Sequence, residues 1–287
     1  MKSVIIYYFS GTGNTELVKN MIEKGLSNNE YDVTVVKIED VLKKKLKIEV
    51  EKYDLVGIGS QVIGFGVPNI VNDFVKVLPK TKGKKVFIFR TAGGVVPKNY
   101  NCSKPMIRKL SRKGYKVFYE RIFSIASNWI IKFDDQIVKK LYEATSKKAE
   151  IMCREIISGK ERRLKIGIGL KAVMEFAIFA SSRLIPLTGK DLTISKECVH
   201  CGLCIKNCPV ENIYEKKGKI KFGLSCNGCM RCVYSCPKVA IKYRHLKFFS
   251  VPGGYNIKKV LSKTYDQSKM PDKVPPFFNR YIEDDTM

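Results

Sequence analysis

Eight of the chain's ten cysteines fall into two runs that share one spacing. Cys198, Cys201, Cys204 and Cys208 precede Pro209, and Cys226, Cys229, Cys232 and Cys236 precede Pro237. Both runs read C-x2-C-x2-C-x3-C-P, and each member of the second lies 28 residues after its counterpart. Thiolates at this spacing can hold [4Fe–4S] cubanes, whose chemistry is one-electron transfer. Three cysteines wrap a short loop around one cluster, while the fourth, beside proline, turns to the other cluster. The expected sets are therefore crossed: Cys198, Cys201, Cys204 and Cys236 for one cluster, and Cys226, Cys229, Cys232 and Cys208 for the other. Structural zinc also uses C-x2-C pairs, but two zincs do not require a third cysteine at the same step followed by C-P, twice over. A disulfide framework implies an oxidising compartment.

Residues 192–244 resemble the bacterial-type two-[4Fe-4S] ferredoxins, complete in all eight ligands. Cys102 and Cys153 are left over and read as packed free thiols. His200 and His245 are the only histidines, so acid–base chemistry by imidazole has little material. His200, between two ligand cysteines, is expected to pack around a cluster rather than ligate it.

A second chemistry-bearing segment lies near residue 10. An apolar run over 3–9 reads as a buried parallel strand. It leads into Ser10-Gly11-Thr12-Gly13-Asn14-Thr15 and then into a helical pattern over about 16–26. A strand, a glycine- and hydroxyl-rich loop and a helix N-terminus make a phosphate cradle, because amides, hydroxyls and the helix dipole all favour an anion. No lysine stands in P-loop register, and Glu16 occupies the place of a third dinucleotide-fingerprint glycine.

The elements that must position this loop follow in alternation. Strands are expected at 31–37, 54–60, 84–90 and 115–125, with helices near 69–78, 103–113 and 134–159. Right-handed crossovers place the strands' C-terminal loops on one edge of the sheet.

On these residues the first 160 resemble a flavodoxin domain: an α/β doubly wound parallel sheet of order 2-1-3-4-5. The resemblance implies that Ser10, Gly11, Thr12, Gly13, Asn14 and Thr15 hold the phosphate of FMN. It implies that Gln61, Val62, Ile63, Gly64 and Phe65, with Thr91, Ala92, Gly93 and Gly94, flank the ring. Trp129 reads equally well as a flavin-edge residue or a core residue. The order of the modules resembles the flavodoxin–ferredoxin fusion proteins of anaerobes, with a small α+β two-[4Fe-4S] domain in second place. The expected divisions are 1–160 for the FMN domain, 161–191 for a helical linker at the junction, 192–245 for the cluster domain and 246–287 for a C-terminal extension.

Lys and Arg total 53 against 27 acids, a formal charge of +26. The excess is spread over both modules. It favours acidic redox proteins as partners: a ferredoxin, a flavodoxin or a partner reductase. No nucleic-acid recognition module is evident, so no specific nucleic-acid partner is expected. Lys2 and the apolar run after it lead to a glycine loop, which reads as a first strand rather than a signal peptide. The stretch 168–185 reads as a helix at the domain junction. Lys165, Lys171, Glu175 and Arg183 make it too charged to span a membrane, leaving peripheral contact as the minority reading. Exposed clusters and free thiols point to the cytoplasm. In the tail, Pro271, Pro275 and Pro276 with Phe277, Phe278 and Tyr281 read as extended chain lying across another surface of the protein.

Clusters move single electrons and FMN takes one or two, so the combination reads as an electron-transfer iron–sulfur flavoprotein. The alternative is a ferredoxin-dependent flavin oxidoreductase that reduces a small acceptor at the FMN, with Tyr100 or Lys98 as proton donor.

Overall fold

The computed structural model describes residues 1–44, 46–264 and 274–287. Pro271 lies outside the described residues. The first half forms a five-stranded parallel sheet of order β2-β1-β3-β4-β5. Its strands are β1 (Lys2–Phe9), β2 (Tyr31–Lys37), β3 (Leu55–Gln61), β4 (Lys84–Ala92) and β5 (Tyr115–Ser124). Strands β1, β3, β4 and β5 are buried almost end to end, because helices cover both faces.

Helices α1 (Asn14–Ser27), α2 (Ile38–Leu42), α3 (Asn69–Val77), α4 (Lys104–Arg112) and α5 (Asp135–Ile157) make the crossovers. Tyr7, Phe9, Ile58 and Phe74 belong to the core on the α3–α4 side. Ile6, Tyr8, Phe87 and Phe89 belong to the core on the α1–α5 side. The two glycines of β3 are packing requirements. A Cβ on Gly57 or Gly59 would meet the rings of Phe87 and Phe89 at 2.5 and 2.0 Å. Arg162 extends the sheet edge past residue 160, since its amide donates to Phe118 O and its carbonyl accepts from Glu120 N.

Helix α6 (Ile168–Leu184) lies at the junction. Ser181 Oγ donates to Gly64 O at 2.6 Å, and Asn69 Nδ2 donates to Ser182 O at 2.9 Å. The second module pairs β6 (Leu192–Ile194) with β9 (Ile241–Tyr243) and β7 (Ile213–Lys216) with β8 (Lys219–Phe222), both antiparallel. One-turn helices α7 (Leu203–Lys206) and α8 (Arg231–Tyr234) follow the first cysteines of each run.

The tail returns to the first module. Helix α9 (Ile257–Ser262) buries Ile257 in the α1–α5 core. The aromatic segment expected to be extended is instead helix α10 (Pro276–Glu283). Pro276 stands at its first position, where the missing N–H costs nothing and the fixed φ suits a helix. Phe278 and Tyr281, three apart, then share one buried face. The Tyr281 hydroxyl lies 2.8 Å from Thr145 Oγ1 of α5.

Candidate functional site: two thiol-lined voids beside a phosphate loop

Two voids open among the cysteines. One is lined by Cys208, Cys226, Cys229 and Cys232, the other by Cys198, Cys201, Cys204 and Cys236. Each draws three cysteines from one run and the residue before proline from the other, the crossed arrangement expected from the spacing. Among the described residues, no three His, Cys, Asp or Glu side chains converge as ligands of one metal ion. The thiols ring a space instead, a donor set for a polynuclear cluster.

The electrostatics fit the same group. Burial pushes the Cys229 thiol up to about 12, although Arg231 counters it. Burial raises Cys232 well above the ordinary thiol, and the charges of Cys229, Cys226, Cys208 and Cys204 add to this. So many buried thiolates cannot coexist without cations between them, which iron supplies. Backbone amides donate to sulfur at equivalent places in the two repeats: Asn212 N to Cys208 Sγ at 3.2 Å, and Ala240 N to Cys236 Sγ at 3.3 Å. Such bonds tune cluster potentials.

The two voids differ in exposure. Cys201 is exposed, whereas Cys208 and Cys229 are buried. The void lined by Cys201 is therefore the outer one, and the void lined by Cys229 faces the sheet. His200 is exposed, with its backbone in the left-handed region.

At the C-terminal edge of the sheet lies a cavity of about 170 Å³. Ser10, Gly11, Thr12, Asn14 and Thr15 line it, with Gln61, Val62, Thr91, Ala92 and Gly93. Five of the residues implied by the resemblance are placed elsewhere. Gly13 lines an adjoining cavity of about 550 Å³. Ile63 and Gly64 pack toward α6, where Ser181 and Ile185 occupy the space over Gly64. Phe65 is partly exposed, and Gly94 faces Phe277. Lys98 and Tyr100 do not line the cavity, and Tyr100 packs near α10 instead.

The cavity also takes in Ala126, Ser127, Asn128, Trp129 and Ile130, the loop after β5. Of these, only Trp129 is singled out by the sequence. The edge rule that located the other loops applies to this one too. The Trp129 ring stacks on Phe249 at 4.5 Å, so it is both a packing residue and a wall of the cavity.

The lining suits a guest that offers hydrogen bonds. Trp129 Nε1 and both amide atoms of Gln61 are buried without hydrogen-bond partners, and both side chains line this space. Such groups are costly unless a ligand satisfies them. Ser10 Oγ accepts from the amides of Gly13 and Glu16 at 3.2 and 3.3 Å, which fixes the loop. Asn128 Nδ2 donates to Thr12 Oγ1 at 2.7 Å, and Tyr255 donates to Asn14 Oδ1.

The inner cysteine loop lies directly against the loop 10–15. A Cβ on Gly11 would stand 2.4 Å from the Cys229 carbonyl oxygen, and one on Gly228 would stand 3.5 Å from the Trp129 ring. Arg231 Nη2 donates to Ser10 O at 2.6 Å and pairs with Glu39 Oε1 at 2.8 Å. The Tyr234 hydroxyl donates to Asn128 O at 3.0 Å and accepts from Val251 N at 2.8 Å. Asn227 Oδ1 accepts from Ile70 N at the start of α3.

Known proteins resemble the two halves separately. The family model for the 4Fe-4S dicluster domain matches residues 190–237. The flavodoxin of Megasphaera elsdenii is 37% identical over 93 residues, which is 31% of this chain and 65% of the relative. The flavodoxin of Clostridium beijerinckii is 33% identical over 91 residues, 31% of this chain and 63% of the relative. The chain thus spans less than two thirds of either curated relative. The solution structure of two-electron reduced M. elsdenii flavodoxin aligns at 29% identity and a TM-score of 0.36, covering 50% of this chain and 98% of that one. Fold and site define a protein of two parts. The chain joins a flavodoxin-like domain to a ferredoxin-type 4Fe-4S dicluster domain. The cofactors that go with this architecture are FMN and [4Fe–4S] clusters.

Proposed function

We propose that the chain relays electrons between two [4Fe–4S] clusters and FMN on behalf of an acidic redox partner, such as a ferredoxin, a flavodoxin or a reductase. The clusters supply one-electron steps and the flavin accepts one or two electrons. In this reading Cys198, Cys201, Cys204 and Cys236 hold the outer cluster, and Cys208, Cys226, Cys229 and Cys232 the inner one. The loop 10–15 holds the flavin phosphate, while Gln61 and Trp129 offer hydrogen bonds to the ring. Residues 1–160 serve as the flavin module and 192–245 as the cluster module, with 161–191 joining them and 246–287 as a C-terminal extension whose helices α9 and α10 pack on the first.

The observation that carries the reading is the seating of Cys229, an inner-cluster cysteine, on Gly11 of the phosphate loop. In this reading the two cofactor sites lie on either side of a close backbone contact. The exposure of Cys201, beside exposed Val199, Leu203 and Val239 and among Lys196, Lys206 and Lys238, favours the outer cluster as the place where a partner docks. Apolar residues ringed by lysines suit a transient acidic carrier. The reading suits a reducing compartment such as the cytoplasm.

The test uses anaerobically purified holoprotein loaded with FMN and iron. Mixing with a photoreduced acidic ferredoxin should bleach the clusters and then the flavin, at a saturable rate that falls with salt. A flavin that stays oxidised while the clusters are fully reduced would sink the relay.

A further inference from the structure

Helix α6 exposes an apolar face that no described part of the chain covers. Ile168 is 89% exposed, Phe176 72%, Val173 61%, Leu184 60%, Phe179 59% and Leu187 51%. They recur at steps of three to five residues, opposite the face that buries Met174 and Ile178 against the flavodoxin-like domain. Side chains of this kind normally face a core. The helix packs by its other face, so among the described residues nothing covers the exposed side, as expected of an interaction surface.

Charge decides what that is. Lys165, Lys171, Arg183 and Lys190 stand exposed along the same segment. Its acid, Glu175, is taken by Arg108 at 2.9 Å. The Arg183 guanidinium lies 5.2 Å from the Phe179 ring, over the apolar surface. A second copy of this chain would set these cations against one another, so a negatively charged surface fits better. The face is also poor in hydrogen-bonding groups, Arg183 apart, whereas a protein interface uses about one hydrogen bond per 100–200 Å². Among the described residues no helix is long and apolar enough to cross a membrane. An apolar stripe about 24 Å long from Ile168 to Leu184 at 1.5 Å per residue, edged by cations, suits a helix lying in the plane of a bilayer surface.

We infer that α6 seats the protein on an anionic lipid surface. Phe176 and Phe179 enter the headgroup boundary, and Lys165, Lys171, Arg183 and Lys190 contact phosphates. The turn after the helix places Gly189 against Cys226, so the seated face lies beside the inner cluster.

The test is sedimentation of the anaerobic holoprotein with vesicles of phosphatidylglycerol and phosphatidylcholine, and separately with pure phosphatidylcholine. The wild type should pellet with the anionic vesicles and be released by salt. The double variant F176E/F179E should bind about tenfold or more weakly while keeping its iron and flavin content, which shows that it is folded. Wild type that stays in the supernatant with anionic vesicles overturns the inference, as does a double variant that still pellets. So does sedimentation velocity showing a dimer that F176E/F179E dissolves, since the face would then belong to a protein. None of these outcomes bears on electron relay, which the ferredoxin experiment tests separately.

Discussion

The replacement Gly11→Ala isolates the contact on which the relay rests. Gly11 is absent from the residues with left-handed backbone, so alanine meets no conformational penalty there. What it meets is the Cys229 carbonyl oxygen at 2.4 Å, with the carbonyl carbon at 3.2 Å. An ordinary C···O approach is about 3.3 Å or more, so one backbone must yield by roughly 0.9 Å. Neither yields freely. Cys229 is flanked by thiol ligands, and the phosphate loop is pinned through Ser10 Oγ to two amides. Overpacking of this kind costs about 1–3 kcal/mol. If the phosphate loop takes the strain, the middle of that range corresponds to FMN binding weakened by roughly thirtyfold. If the cysteine loop takes it, the inner cluster is lost first. Fluorescence titration of FMN and iron analysis on the same anaerobic preparation separate the two cases. Gly169→Ala is the control, since a Cβ there meets nothing within 4 Å. It should leave both readouts unchanged and stabilise α6 by about 0.4–1 kcal/mol. A Gly11→Ala protein with wild-type flavin affinity and a full complement of iron would refute the reasoning.

Arg231→Met should destabilise the contact between the modules by about 3–5 kcal/mol, because it leaves Glu39 buried without its partner. In denaturant melts, adding Glu39→Leu should recover most of that loss. Burial opposes ionisation of Glu155, but Lys160, the Tyr119 hydroxyl and Arg121 outweigh it and hold its carboxyl below the ordinary value. A depressed carboxylate contributes stability above its unfolded pKa, about 4.3, and loses it as pH falls through the folded value. Glu155→Gln should therefore be weaker than wild type at pH 7, with the difference closing below about pH 4 in circular-dichroism melts. Burial pushes the Cys153 thiol up to about 12 and raises Cys102 as well. Both should resist N-ethylmaleimide at pH 8 in the native protein and label on unfolding, as read by peptide mass spectrometry.

Most of the fold was legible because its signals are local. The apolar run of β1 reads as a strand buried on both faces, the alternation of strand and helix patterns places β3, β4 and β5, and the cysteine spacing anticipates which thiols share a void. The flavin loops were legible in part. Gln61 and Val62 reach the cavity, but Ile63 and Gly64 are claimed by α6, a helix more than a hundred residues away in sequence. No local pattern records that competition. The loop 126–130 carries no glycine or hydroxyl motif as conspicuous as 10–15, and only the edge rule points to it. The aromatic tail was misread because proline was weighed as a mark of extended chain. At the first position of α10 the same residue starts a helix, and the spacing of Phe278 and Tyr281 was the sign of it.

The stretch 228–234 explains how two cofactor sites can share one wall. Gly228 meets Trp129, the Cys229 carbonyl meets Gly11, Arg231 reaches Ser10 O, and Tyr234 reaches Asn128 O. Every one of these contacts falls on a residue or loop that lines the cavity at the sheet's edge. Two thiols of the inner void, Cys229 and Cys232, lie within the same stretch. Binding of metal to such loops supplies folding free energy, so iron would order the surface that closes the flavin site from this side. Arg231 adds a positional constraint without adding free charge, since Glu39 neutralises it. That is consistent with a phosphate loop built from hydroxyls and amides: the nearest guanidinium is committed to holding the modules together.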